Sequence, residues 1–152
     1  MKLAEALVLR ADTRRRIDQL RERLKASALV QEGEKPAEDP AELFAEVRRA
    51  LDSLTVLIKQ INRTNLEAAL PDGRTLTDAL AERDALTLSF SVLQHVVAAA
   101  IPDQYRLART EIKNVATVNI ADLRKEMDDT ARRRRELDTM IQAANWAVDL
   151  RE

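Results

Sequence analysis

Turn-forming residues are scarce in this chain, and where they fall limits how it can fold. Two glycines and four prolines serve 152 residues, and they occur at three places: Gly33, Pro36 and Pro40; Pro71 and Gly73; and Pro102. An all-β domain needs such residues at roughly every 8 to 12 positions, so that class is excluded and long uninterrupted elements are favoured. Aromatics are 3% of the chain although 45% of it is apolar. Leu, Ile, Val, Ala and a little Met must therefore fill the interior, and these residues suit helix–helix seams. The length is that of one domain, so the expectation is a single all-α domain over residues 1–152, an antiparallel bundle of four long helices.

Apolar spacing places those helices. Leu3, Leu7, Ile17, Leu20 and Leu24 predict a first helix from Lys2 to about Ala28. Pro40 suits the first turn of a second helix capped by Asp39. Along it Leu43, Val47, Ala50, Leu54, Leu57 and Ile61 alternate steps of four and three, and Phe44, Leu51 and Ile58 widen the face enough to touch two neighbours. After the Pro71-Asp72-Gly73 turn, Thr75 or Thr77 caps a third helix, roughly Thr77 to Ala100. It is apolar nearly all round and so expected to be the most buried member. Leu86, Leu88, Phe90 and Val92 alternate with polar residues as a strand would, but no turn residue parts them from the helical ALAERDAL before them, and helix is the reading. Residues 104–118 lack helical spacing and are rich in β-branched side chains, which predicts an irregular connector or a short β-hairpin. Asn119, with acidic Asp122 three residues on, opens the last helix. There Ile120, Leu123, Met127, Thr130, Arg134, Leu137, Ile141, Ala144 and Val148 repeat at threes and fours, a coiled-coil seam over four heptads.

The inventory excludes several chemistries. With no cysteine there are no disulfides, thiolate metal sites or cysteine nucleophiles. His95, the single histidine, rules out sites needing two imidazoles, and Val92-Leu93-Gln94 before it is not the Glu-x-x-His pair of di-iron bundles. Glu42 with Glu46 and Glu126 with Asp129 have one-turn spacing, but basic neighbours explain them as surface pairs. Gly33 and Gly73 stand alone, without the spacing of a phosphate loop, and Ser27, Ser53, Ser89 and Ser91 lack a Gly-x-Ser-x-Gly context. No metal, cofactor or catalytic residue is assigned.

The net charge of −1 gives no pull toward nucleic acid or anionic membrane. Arg14 to Arg16 and Arg132 to Arg135 point around their helices rather than along one stripe, and acidic residues bracket the second run. The basic first helix and the acidic segment after it are expected to neutralise each other. The longest uncharged run, Ala85 to Pro102, is broken by Thr87, Ser89, Ser91, Gln94 and His95, so no membrane span is expected. The N-terminus acquires acidic residues too early for an export signal, and the expected setting is cytoplasmic.

Two groups of residues are candidates for function. Asn62, Thr64 and Asn65 continue the stripe of Ile58 and Ile61, and Arg74, Asp78, Arg83 and Asp84 follow. Asn62 and Asn65 are expected to enter the interior, either in a polar network that joins helices two and three or in a pocket for a small molecule. Arg134 lies on the apolar seam of the last helix. There it must meet a carboxylate or mark where the stripe leaves the core for a subunit interface. Arg134, Leu137, Ile141 and Trp146 are therefore the candidate interface residues of a homo-oligomer built on the first and last helices. The function expected is that of a non-enzymatic structural or interaction protein that self-associates through helix faces. The alternative is a small-molecule-binding or metal-dependent enzyme using the polar cluster.

The segments MKLAEALVLRAD, VQEGE, INRTN with DGRTLTDALAERD, and RELDTMIQAANWAVDL together resemble the septicolysin-like family of small bacterial helical proteins along essentially the whole chain. The resemblance implies a compact helical domain and supplies no catalytic residues. The family label hints at a cytolysin, against which stands the lack of an export signal and of any segment fit to enter a membrane.

Overall fold

The structure, a computed structural model, describes residues 1–102 and 112–152. It is all-α. The helices α1 (Leu3–Ser27), α2 (Pro40–Glu67), α3 (Leu76–Ala100) and α4 (Ile120–Ala147) hold 74% of the described residues. The chain falls into two compact units, Met1–Ala69 with Ala143–Glu152, and Leu70–Gln142.

Local chemistry sets the helix ends. Pro40 occupies the first turn of α2, where its missing N–H costs nothing, and the Asp39 carboxylate accepts from the Ala41 N–H at 2.8 Å. Thr75 rather than Thr77 caps α3: its Oγ1 accepts from the Asp78 N–H at 3.1 Å and donates to the Asp78 carboxylate at 2.8 Å. Asn119 Oδ1 accepts from the Asp122 N–H at 3.1 Å, as the spacing predicts. Gly33 and Gly73 both adopt φ +88°, which an L side chain resists, and each stands in a turn between two helices.

In the first unit α1 and α2 run antiparallel. Arg16 pairs with Glu46 at 2.6 Å and Arg23 pairs with Glu38, so residue number falls along one partner as it rises along the other. These contacts also neutralise the basic helix against the acidic segment. Leu20 lies level with Leu43, the first of a stripe on α2 that continues through Ala50, Leu57 and Ile61, all buried, and each fully buried Leu or Ile contributes ~1.5–3 kcal/mol. The last residues are tied to the start of α1 and the end of α2. The Leu3 N–H donates to the Val148 carbonyl at 3.0 Å, the Leu150 N–H to the Met1 carbonyl at 2.9 Å, and Lys2 Nζ to the Ala147 carbonyl at 3.0 Å.

In the second unit α3 and α4 also run antiparallel: Arg83 lies 3.6 Å from Asp138, and the Arg134 guanidinium sits 5.6 Å from the centre of the Phe90 ring. The stripe expected along α4 faces inward, with Thr130, Leu137 and Ile141 buried and Leu123, Met127 and Arg134 half-buried.

One expectation is corrected. Helix α3 is not the most buried member: it buries Leu76, Ala79 and Val97, while Leu88 stays 67% exposed and Val92 55% exposed. Its alternating run has a helical origin. Residues two apart on a helix lie roughly 200° apart, so half-buried Leu86 and Phe90 occupy one face while exposed Leu88 and Val92 occupy the other. Two one-turn pairs on opposite faces interleave into a strand-like pattern. As for the connector, residues 112–118 are neither helix nor strand, and the part of the hairpin expectation that falls on residues 104–111 lies outside the described residues.

Candidate functional site

The polar cluster anticipated at the end of α2 divides between the two units. In the first, Asn62 is exposed and Asn65 half-buried, whereas Thr64 is fully buried at 0% exposure. The stripe Leu57, Ile61, Thr64 advances by four and three, so Thr64 inherits the inward position and Asn62, one residue beyond Ile61, turns to the rim. The interior position expected of the Asn62 amide is thus taken by a hydroxyl. Thr64 Oγ1 donates to the Gln60 carbonyl at 2.8 Å and accepts from the Arg151 N–H at 2.9 Å. Nearby, Arg63 donates to the Glu152 carbonyl and Arg151 pairs with Glu67 at 3.4 Å. The arrangement clasps the last residues of the chain.

In the second unit Arg74 grips Asp72 through Nε at 3.0 Å and Nη2 at 2.5 Å, and also pairs with Glu82. The Arg74 guanidinium, helped by the Arg74 N–H, holds the Asp72 carboxyl below the usual carboxylate range, and Asp72 in turn pushes Arg74 upward. Asp78 is spent on the cap with Thr75, and Arg83 pairs with Asp84 at 3.0 Å as well as with Asp138. These contacts pin the Leu70–Arg74 turn and the start of α3. Among the described residues no buried side-chain nitrogen or oxygen lacks a partner, and no group of three or more His, Asp or Glu is placed to hold a metal ion.

A cleft of about 210 Å³ between α1 and α2 is lined by Thr13, Arg16, Glu46, Arg49, Ala50 and Ser53. Its carboxylate is already bound: Arg16 first, then Arg23 and Arg49, hold the Glu46 carboxyl below its usual range. An anion entering there would have to displace Glu46.

The expected interface residues also separate. Leu137 and Ile141 are 3% and 1% exposed and belong to the core of the chain. Arg134 tolerates its place on the stripe by resting on the negative face of Phe90, a cation–π contact, rather than by meeting a carboxylate among the described residues. Trp146 remains at the surface, 62% exposed.

A regular apolar surface lies instead on the outward face of α3. Ala81, Ala85, Leu88, Val92, His95 and Ala99 follow one another at alternating steps of four and three, and all are exposed. Val96 flanks them at 38% exposure. The stripe is ~27 Å long at the helical rise. From Ala85 to Ala99 it carries no charge in a chain that is 34% charged. His95 Nδ1 donates to the Ser91 carbonyl at 2.6 Å; a carbonyl only accepts, so that nitrogen carries the proton. The apolar surface leads into a cleft of about 530 Å³ between the end of α3 and residues 114–118. The third helix's being apolar nearly all round was its signal in the sequence, read there as a sign of burial.

The comparisons agree with this fold and correct the expected kinship. A family model described as a family of unknown function, DUF6847, matches residues 10–150. A crystal structure of a functionally unknown conserved protein from Corynebacterium diphtheriae is similar at 39% identity with a TM-score of 0.92, over 99% of each chain. No curated protein matches. The segments that suggested the septicolysin-like family, nearly all within residues 10–150, are accounted for by this other family, and the septicolysin-like assignment is withdrawn. The chain belongs to the family of unknown function DUF6847.

Proposed function

We propose that this chain is a non-enzymatic interaction protein that associates with a second copy of itself through the outward face of α3. The observation that carries the proposal is the uncharged, exposed stripe from Ala81 to Ala99, with Leu88 and Val92 at its centre. Contiguous apolar surface of this kind marks an interaction site in a soluble protein, and alternating steps of four and three are the spacing with which one helix packs along another. A second copy suits it better than a charged partner, which would have to strip water from its own charges against a face that offers none in return. The surface differs from the one anticipated on the first and last helices, because α1 presents charges outward and the α4 stripe faces inward.

The small-molecule or metal-dependent alternative loses support because Arg74, Asp78, Arg83 and Asp84 are already engaged in turn, cap and ion-pair contacts. The cytolysin reading came with a family label that no longer applies, and no helix among the described residues is long and apolar enough to cross a membrane. A cytoplasmic setting is part of the proposal, supported by the cysteine-free composition. One family model spans residues of both units, which supports treating the chain as one domain.

Light scattering of the wild type beside Leu88→Lys and Val92→Lys tests the proposal. The wild type is expected at twice the chain mass and both variants at the chain mass, with helicity unchanged by circular dichroism. A wild type at the chain mass, or variants that remain at twice that mass, overturns it.

A further inference from the structure

The geometry points to an antiparallel pairing of two α3 helices about a two-fold axis level with Phe90, in which Leu88 of each copy packs against Val92 of the other. This rests on the self-association proposed above and assigns its orientation and register.

Packing gives the first reason. In an antiparallel pair, residue numbers across each layer add to a constant. With the axis level with Phe90, Ala81 meets Ala99, Ala85 meets His95, and Leu88 meets Val92, so all six stripe positions are used. Within the four central layers each larger side chain faces a smaller one, and the width across the seam stays even, as close packing requires. Parallel pairing sets each residue against itself. Leu88 would then meet Leu88 and His95 would meet His95, while Ala81, Ala85 and Ala99 would leave narrow layers beside wide ones. A two-fold axis also makes the patch self-complementary and closes the assembly at two copies.

Charge gives the second reason. Within α3 the acidic residues all lie at the start of the stripe, at Asp78, Glu82 and Asp84. Arg74 and Arg83 offset part of that charge through their pairs with Glu82 and Asp84. Parallel pairing brings the two acidic ends together, and like charges face to face are unfavourable. Antiparallel pairing sets each acidic end beside the uncharged half of the second copy. It also opposes the two helix dipoles.

Because the chain contains no cysteine, single cysteines report the register directly. Leu88→Cys and Val92→Cys are prepared separately, mixed in equal amounts under reducing conditions, and then mildly oxidised, with unoxidised wild type sedimented alongside. Bridging needs Cα atoms within ~7 Å. The expected result is a disulfide between position 88 of one copy and position 92 of the other, exceeding either same-position disulfide at least about fivefold, well above the twofold excess of random pairing. Ala85→Cys mixed with His95→Cys is expected to behave alike. Same-position disulfides dominating in a wild type that sediments as a dimer would overturn the antiparallel register and leave self-association standing. A wild type that sediments as a monomer would overturn the self-association itself.

Discussion

Helices α1 and α3 are each 25 residues long, and their outward faces are opposite in kind. On α1, charges one turn apart satisfy each other, Arg15 with Asp12, Arg21 with Asp18 and Lys25 with Glu22, while Arg16 and Arg23 reach across to Glu46 and Glu38. That face is complete in water. On α3 no charge appears between Asp84 and the end of the helix, and the exposed residues there are small, apolar or neutral. The lesson concerns what an all-round apolar helix means. Such a helix requires cover on two sides, but the cover need not come from its own chain; here α4 lies against the Phe90 side and the Leu88 side stays open.

The largest effect expected on stability separates the covered side from the open one. Ile141→Ala removes a fully buried side chain from α4 and is expected to cost about 2–5 kcal/mol in guanidinium unfolding, whereas Leu88→Ala leaves the stability of a single chain within about 0.5 kcal/mol of the wild type. Equal losses from the two would erase the distinction between the faces.

Next comes the clasp on the last residues. Thr64→Val keeps the volume but strands the Arg151 N–H, and a loss of about 1–3 kcal/mol is expected in the same assay. Thr64→Ser, which retains the oxygen, is expected to recover part of it. Asn62→Ala, at the rim, is expected to stay within about 0.5 kcal/mol.

Acid supplies the smallest effect, and it acts on the α1 side of the comparison. Arg23 and Arg16 hold the Glu38 and Glu46 carboxyls below their ordinary value of 4.5 in the folded chain. A carboxyl lowered on folding stabilises the protein above its unfolded value, and that contribution is lost as pH falls through the lower folded value. Melting temperature measured in 0.15 M salt is therefore expected to fall slightly below about pH 4.5, and Arg16→Gln with Arg23→Gln is expected to flatten that fall. No flattening would mean that these pairs do not hold α1 to α2.

What could be read from the sequence was local. Asp39, Pro40 and Asn119 act on backbone within their own turn, so the starts of α2 and α4 were legible, and the steps of three and four along α4 marked the residues of its inward stripe. Burial was less legible, because it depends on which neighbour arrives. Nothing before or after Thr64 announces the Arg151 N–H, 87 residues away in sequence, so the amides of Asn62 and Asn65 looked the better candidates for the interior. Arg134 was visible as a charge on an apolar stripe, yet its partner proved to be an aromatic ring on another helix. The uncharged face of α3 was visible too, and was misread because exposure and burial leave the same apolar residues in the sequence.

Sedimentation velocity of the wild-type protein as a function of concentration tests most directly whether the open face of α3 is a self-association surface. Over ~1 to 100 µM, the range in which a specific dimer of ordinary affinity forms, the boundary is expected to move to twice the 17.2 kDa chain mass. Val92→Lys is expected to stay at the chain mass throughout. A wild-type boundary that remains at 17.2 kDa over the whole range contradicts the account.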